Sequence, residues 1–251
     1  MWKYKEDLTE PIITAQKHIA SGHKKGCGSL PQTAILFYMH SGVAYMKLKY
    51  KCRLLTKKFP RFLNACPIYR LKDDEICFLD GGRGAPQAAD TLETLAALGV
   101  KNVVAVGMFG AFGAEVESGD IIVPNKAFSE EGTSLHYYES LNFAEPNAAL
   151  LEKAQQAITD AKVLPVVSTD AVYRQTFFKE ALWREKGAVG VDMETSALYS
   201  VGKYLGLNVV SVLLASDKHP MTETDTGWRW TLTNEARCRF FEQCVDFAKT
   251  V

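Results

Sequence analysis

AVGVDMETSALYSVGKYLGLNVVSVLLASD, residues 188–217, decides the fold. It opens with a short apolar run, 188–192. A helical pattern follows at 193–206 and ends at Gly206, and a second run, rich in Val and Leu, spans 208–216. Neither run alternates apolar with polar residues, which is how a strand buried on both faces reads. A strand, a helix and a strand in succession predict a crossover unit with helices packed on a mainly parallel or mixed sheet.

The same alternation extends upstream. Further strands are predicted at 34–39 (AILFYM), 75–80 (EICFLD), 102–109 (NVVAVGMF), 120–125 (DIIVPN) and 163–168 (VLPVVS). Helices are predicted at 86–99, 145–161 and 177–187, with a last one at about 231–249. Pro86 suits a first helical turn, and Gly99, Gly187 and Gly206 suit C-terminal caps. The segment 40–64, with several Lys and Arg, has no readable period. No repeat or linker interrupts the 251 residues, so one α/β domain over 1–251 is predicted.

Lys+Arg and Asp+Glu are both 29, for a formal net charge of zero. Without a basic excess the chain is not predicted to bind nucleic acid. Cys27, Cys52, Cys66, Cys77, Cys238 and Cys244 form no C-x-x-C pair, and the five His are scattered, so no metal site is predicted. Such cysteines act mostly as small buried hydrophobes in a reducing compartment. The first residues, MWKYKEDLTEPIITAQ, carry charges and no apolar core of a signal peptide. No apolar run reaches the roughly 20 residues that span a bilayer. The expectation is a cytoplasmic protein with no membrane partner.

In α/β folds ligands bind where strands end and helices begin. Four such places carry chemistry. Gly82-Arg83-Gly84-Ala85-Pro86 suits either a tight turn or close backbone approach to a ligand at a helix N-terminus. Gly107-Met108-Phe109-Gly110-Ala111 ends a strand in glycines, and Gly119-Asp120 looks like the turn into the next strand. In Asp192-Met193-Glu194, Asp192 stands at the expected helix cap and Glu194 in the first turn; taken alone the acids suit capping strongly, and two acids flanking a Met at a strand end are also a way to project one carboxylate into a cleft. Ser216-Asp217 closes the last apolar run. No G-x-G-x-x-G with a later ribose-binding acid follows a strand, which argues against an oxidoreductase.

Taken together and in order, G-x-G-x-P at 82–86, LGVKNVVAVGMFGAF at 98–112, SGDIIVP at 118–124, GTSLHY at 132–137, STDAVY at 168–173, VDMETSALY at 191–199 and SD at 216–217 resemble the nucleoside phosphorylase-I family. That family includes purine nucleoside phosphorylases, uridine phosphorylases and nucleosidases. The resemblance implies a three-layer α/β/α fold around a mixed, partly barrel-like central sheet, assembled as a dimer or a trimer of dimers. It implies cleavage of the bond between ribose and a base. Glu194 would hold the ribose hydroxyls and stabilise the cationic sugar, with Met193 against the ribose and Asp192 beside it. Asp217, with Ser216, would give a proton or a strong hydrogen bond to purine N7, burial raising its pKa to make it an acid. The Ser-Asp pair tilts the substrate toward a purine nucleoside. Val172 stands at the base-stacking position, with Tyr173 beside it, and Arg174 and Gln175 are within reach of the base edge or of solvent.

The chain also departs from the family pattern. Phosphorolytic members bind phosphate through a Gly-Asp-Pro-x-x-Arg loop after the first strand, where this chain has His40-Ser41-Gly42-Val43-Ala44. Their Arg two residues before Gly107 is Ala105 here, and their Ser or Thr after it is Met108. Neither Ala nor Met offers a side-chain donor to a dianion. Arg83 is a candidate replacement, for inorganic phosphate as co-substrate or for a 5′-phosphate. No other cofactor is implied. Three activities stay open: phosphorolysis, hydrolysis by the same Glu194 and Asp217, and nucleoside binding without catalysis.

Overall fold

The computed structural model describes residues 9–22, 28–225 and 227–251. Cys27 and residues 1–8 of the N-terminal stretch lie outside them. The chain runs through α1 (Ala15–Ala20), β1 (Thr33–Phe37), α2 (Gly42–Lys49), β2 (Cys52–Thr56), β3 (Ile68–Leu71) and β4 (Ile76–Asp80). It continues through α3 (Gly84–Ala97), β5 (Asn102–Ala111), β6 (Ile121–Ile122), β7 (Ala127–Glu130), β8 (Phe143–Ala144), α4 (Ala148–Ala157) and β9 (Val166–Thr169). It ends with α5 (Phe177–Glu185), β10 (Gly190–Asp192), α6 (Thr195–Tyr204), β11 (Asn208–Lys218), β12 (Arg229–Trp230) and α7 (Asn234–Ala248). Every strand predicted from the sequence lies on an observed one, and Gly99, Gly187 and Gly206 all take the positive φ of a helix-ending glycine.

The strands form one 12-stranded mixed sheet in the order β2-β3-β4-β1-β5-β10-β9-β7-β8, with β11, β6 and β12 branching from β5. At the branch β5 pairs with three strands. On one side β5 pairs in parallel with β1 through Val106 and then, at Gly110 and Ala111, antiparallel with β10. On its other side it pairs in parallel with β11 along its whole length.

Both faces of the central strands are covered, which is why their sequences do not alternate. On one face Leu36, Leu79, Val103, Ala105 and Leu213 pack with Ala88, Leu92 and Leu95 of α3 and Leu198 and Val201 of α6. On the other, Ile35, Phe37, Val104, Val106, Val212 and Leu214 pack with Leu150 and Ala154 of α4 and Phe240, Phe241 and Val245 of α7. The burial in α3 falls at i, i+3, i+4 and i+7 from Ala85, so one helical stripe faces the sheet. Truncating a fully buried side chain such as Leu92 or Phe241 to Ala costs about 3–5 kcal/mol at sites of this kind.

The segment with no readable period, 40–64, is α2, β2 and a loop. Buried Arg61 ties that loop to the sheet and α3, its Nη1 donating to Asp80 O and to Thr91 Oγ1, each at 2.9 Å. Of the five described cysteines, Cys66, Cys77 and Cys244 are buried, and Cys238 is exposed. Among the described residues no helix is long and apolar enough to cross a membrane, and no group of three His, Cys, Asp or Glu is placed to hold a metal ion.

Candidate active site

A cavity of about 700 Å³ opens at the C-terminal ends of β1, β4, β5, β10 and β11. Its wall includes Met108, Asp192, Met193, Glu194, Ser216 and Asp217, and also Arg83, Val172 and Tyr173. Register fixes how the two acidic segments face each other. Gly110 of β5 pairs with Val191 on one side and with Asp217 on the other. With strands about 4.8 Å apart, Val191 and Asp217 sit about 10 Å from each other across β5. The chain then carries Asp192-Met193-Glu194 along the rim.

On the β10 side, Asp192 ends the strand and α6 begins at Thr195. The cap position is occupied by Glu194, not by Asp192 as expected, and Glu194 makes no side-chain cap bond. The Asp192 carboxylate does the capping: it accepts from Thr195 N (2.9 Å), from Thr195 Oγ1 and from Ser168 Oγ (2.5 Å). That leaves Glu194 free to turn toward the glycine loop, where its Oε1 accepts the Gly84 N–H at 2.6 Å. Gly84 takes φ +77°, a conformation that L side chains rarely adopt, and its amide opens α3. Burial pushes the Glu194 pKa up to about 8, and the neighbouring Asp192 charge adds to the rise, against the Gly84 amide and Arg83. Burial likewise holds Asp192 above the usual carboxylate range, despite its hydroxyl and amide donors.

Arg83 is half-buried beside this acid. Its Nη1 lies 3.5 Å from Asp80 Oδ1, and its Nη2 lies 3.2 Å from His40 Nδ1. Tyr38 also lines the cavity, with a buried hydroxyl that has no hydrogen-bond partner among the described residues. An unpaired buried hydroxyl is costly unless a ligand group meets it.

On the β11 side the pairing with β5 slips between Ala215 and Asp217, so Ser216 is the extra residue of a β-bulge. Bulges of this kind re-aim side chains at sites. Ser216 Oγ donates to Asp217 Oδ1, and Trp228 Nε1 donates to Asp217 Oδ2 at 2.6 Å. His219, two residues after Asp217 and just past the end of β11, places its Nε2 3.2 Å from Asp217 Oδ2. Its Nδ1 lies 2.6 Å from Oε1 of Glu180, a buried carboxylate on α5. Here the expectation of a raised Asp217 pKa is overturned. Burial does push it up, but the donors from His219, Ser216 and Trp228 outweigh burial and hold it below the ordinary aspartate value. His219 moves the other way, to about 9, because its contacts with Asp217 and Glu180 overcome its own burial.

Two of the residues predicted to bind substrate stand outside the cavity wall. Gly107 is buried beneath it, against Leu213 and Tyr38. Arg174 is exposed at the end of a 3₁₀ turn and does not line the cavity, whereas its neighbour Gln175 does. Val172 and Tyr173 reach the wall only as exposed rim residues, 48% and 96% accessible, while Phe109, Phe177, Trp228 and Trp230 supply further aromatic surface. Sequence reasoning missed His219, Glu180, Trp228 and Tyr38. Only His219 left a signal: in Asp217-Lys218-His219 the two-residue spacing at a strand end brings Asp and His within reach of each other.

A sequence model of the phosphorylase superfamily matches residues 50–246. The chain is 31% identical over 173 residues to the DeoD-type purine nucleoside phosphorylase of a Bacillus cereus strain, covering 66% of this chain and 71% of the relative. It is 33% identical over 141 residues to that of Clostridium novyi (strain NT), covering 54% and 60%. The crystal structure of AMP nucleosidase from Bacteroides thetaiotaomicron VPI-5482 superposes with a TM-score of 0.74 over 94% of this chain and 97% of that one, at 22% identity. That likeness shows the fold, and the family match and the identity to the purine nucleoside phosphorylases go further: the chain belongs to the phosphorylase superfamily.

Proposed function

We propose that the chain cleaves the N-glycosidic bond of a purine nucleoside or its 5′-monophosphate. The carrying observation is that one cavity brings together two buried acids in opposite states, Glu194 and Asp217, with Met193 in the same wall. Ribose–base cleavage develops positive charge on the sugar and negative charge on the leaving base. Glu194 would accept hydrogen bonds from the 2′- and 3′-hydroxyls and, once ionised, stabilise the cationic sugar. The Asp217 cluster would serve purine N7. The aromatic wall suits the faces of a purine.

Water is the nucleophile that the lining favours. Met108, where a donor to phosphate would be needed, faces the cavity with a thioether, and Ala105 is buried. Arg83 and His40 are the cationic or imidazole groups on the Glu194 side, and either could meet a phosphoryl group. The superfamily relatives include both purine nucleoside phosphorylases and an AMP nucleosidase, so both outcomes have precedent in proteins of this fold. The test is base release from adenosine, inosine, guanosine and their 5′-monophosphates, with and without inorganic phosphate, with identification of the sugar. Free ribose or ribose 5-phosphate without added phosphate supports hydrolysis. Ribose 1-phosphate formed only with phosphate reassigns the nucleophile, and no release from any purine substrate overturns the reading.

A further inference from the structure

The Asp217 carboxylate is an unsuitable acid by itself, because its hydrogen bonds stabilise it without a proton. The proton sits instead on the neighbouring ring. His219 is held from both ends: Nε2 3.2 Å from Asp217 Oδ2, and Nδ1 2.6 Å from Glu180 Oε1. Both acids are buried, at 4% and 6% exposure. Arg184, one helical turn along α5, lies 3.7 Å from the other Glu180 oxygen and sets a second cation against that acid. The room for the ring is provided by Gly110, where a methyl group would run into His219 Nε2 and Cε1. A ring clamped between two carboxylates in a water-poor cluster is a charged, oriented proton store.

We propose that His219, oriented by Glu180, is the positioning residue that loads Asp217 with the proton delivered to the leaving purine. This rests on the proposed N-glycosidic cleavage. As the C1′–N9 bond breaks, its electron pair goes to the purine. The proton on His219 Nε2 passes to Asp217 Oδ2. Asp217, then a carboxylic acid, gives one proton to N7, so the purine leaves neutral. His219 is left as a neutral imidazole with Nδ1–H donating to Glu180. Water captures the sugar cation and releases one proton, and His219 takes one proton back from solvent, so the cycle balances.

The test compares whichever purine nucleoside the wild-type chain cleaves with its 7-methyl derivative. The methylated base already carries positive charge on its imidazole ring and leaves without protonation at N7. Position-specific proton delivery is worth about 10²–10⁴-fold. His219→Gln is therefore expected to lose about 100-fold in kcat/KM on the ordinary nucleoside and to stay within about threefold of wild type on the 7-methyl substrate. Glu180→Gln, which keeps a hydrogen bond but loses the charge, is expected to show the same selectivity at about 10-fold. Activity on the 7-methyl substrate certifies that each variant is folded. An equal loss on both substrates, or no loss on the ordinary one, overturns the relay while leaving the cleavage reading intact. A wild-type chain that releases base from neither overturns both.

Discussion

The two ends of the cavity carry the same functional group in nearly the same degree of burial, Glu194 at 8% exposure and Asp217 at 4%, yet their protonation runs in opposite directions. At the β10 end, Glu194 has one backbone amide, a second buried acid and the Arg83 charge for neighbours, and burial with that acid prevails, so its pKa climbs to about 8. At the β11 end, Asp217 collects an imidazole, a hydroxyl and an indole N–H, and its pKa falls. Burial disfavours charge at both ends; the count of donors decides which acid keeps it. The cavity therefore holds a carboxylate that ionises late beside one that is charged throughout the physiological range. The acid function moves off the aspartate and onto its histidine.

Breaking either end tests that division, and the largest effect is expected at the base end. Asp217→Asn removes the only group through which His219 can reach the purine, and about 10³-fold loss in kcat/KM is expected on an ordinary purine nucleoside. Glu194→Gln keeps the hydrogen-bonding shape but not the charge that stabilises the sugar cation; a loss of about 10²-fold, read as kcat on both ordinary and 7-methyl nucleosides, is expected.

The pH profile sharpens the comparison further. Glu194 is protonated below about 8 and ionises above it, while His219 holds its proton up to about 9. The kcat/KM profile should therefore rise with pH through about 8 and fall beyond about 9. The groups facing Glu194 are Asp192 and Arg83, and those facing His219 are Asp217 and Glu180. Asp192→Asn removes the like charge beside Glu194, so the rising limb should move to lower pH while the falling limb stays. An unmoved rising limb would mean that a different group titrates there. Trp228→Phe deletes one donor to Asp217 and is expected to cost only a few-fold in kcat/KM. Arg174→Ala, at an exposed position off the cavity wall, should change base release by less than about twofold.

The legible part of this molecule is the part whose contacts are local in sequence. Strands such as 102–109 and 208–216 announced themselves because burial on both faces leaves a run of Val, Ile and Leu, and α3 because its stripe recurs within one segment. The hairpin β2–β3 was not legible: β2 lies at the sheet edge with two of its five residues exposed, so it lacks an apolar run. The loop before β3 is fixed by Arg61 reaching Asp80 and Thr91, 19 and 30 residues away, a contact no local pattern encodes. The candidate site divides in the same way. Asp192, Glu194 and Asp217 were found because they stand where strands end. Glu180 was not, because on its own helix it is one acid among several polar residues with an Arg one turn on, and only its contact with His219 ties it to the site. The direction of the Asp217 pKa shift was misjudged because burial can be anticipated from an apolar strand, whereas the donors that reverse its effect, from Ser216, His219 and Trp228, depend on how those side chains are aimed.

Gly110 carries information by what it lacks. Val191 and Asp217 flank it in the sheet, and the space where its side chain would stand is taken by the His219 ring. The imidazole just past β11 thus has a vacancy reserved for it on β5, more than a hundred residues earlier, and the two positions are not free to change independently. A chain that gained a larger residue at 110 would have to surrender the ring at 219, and with it the source of its proton. In related sequences a bulky side chain at the first position should be a marker for a differently built acid at the second.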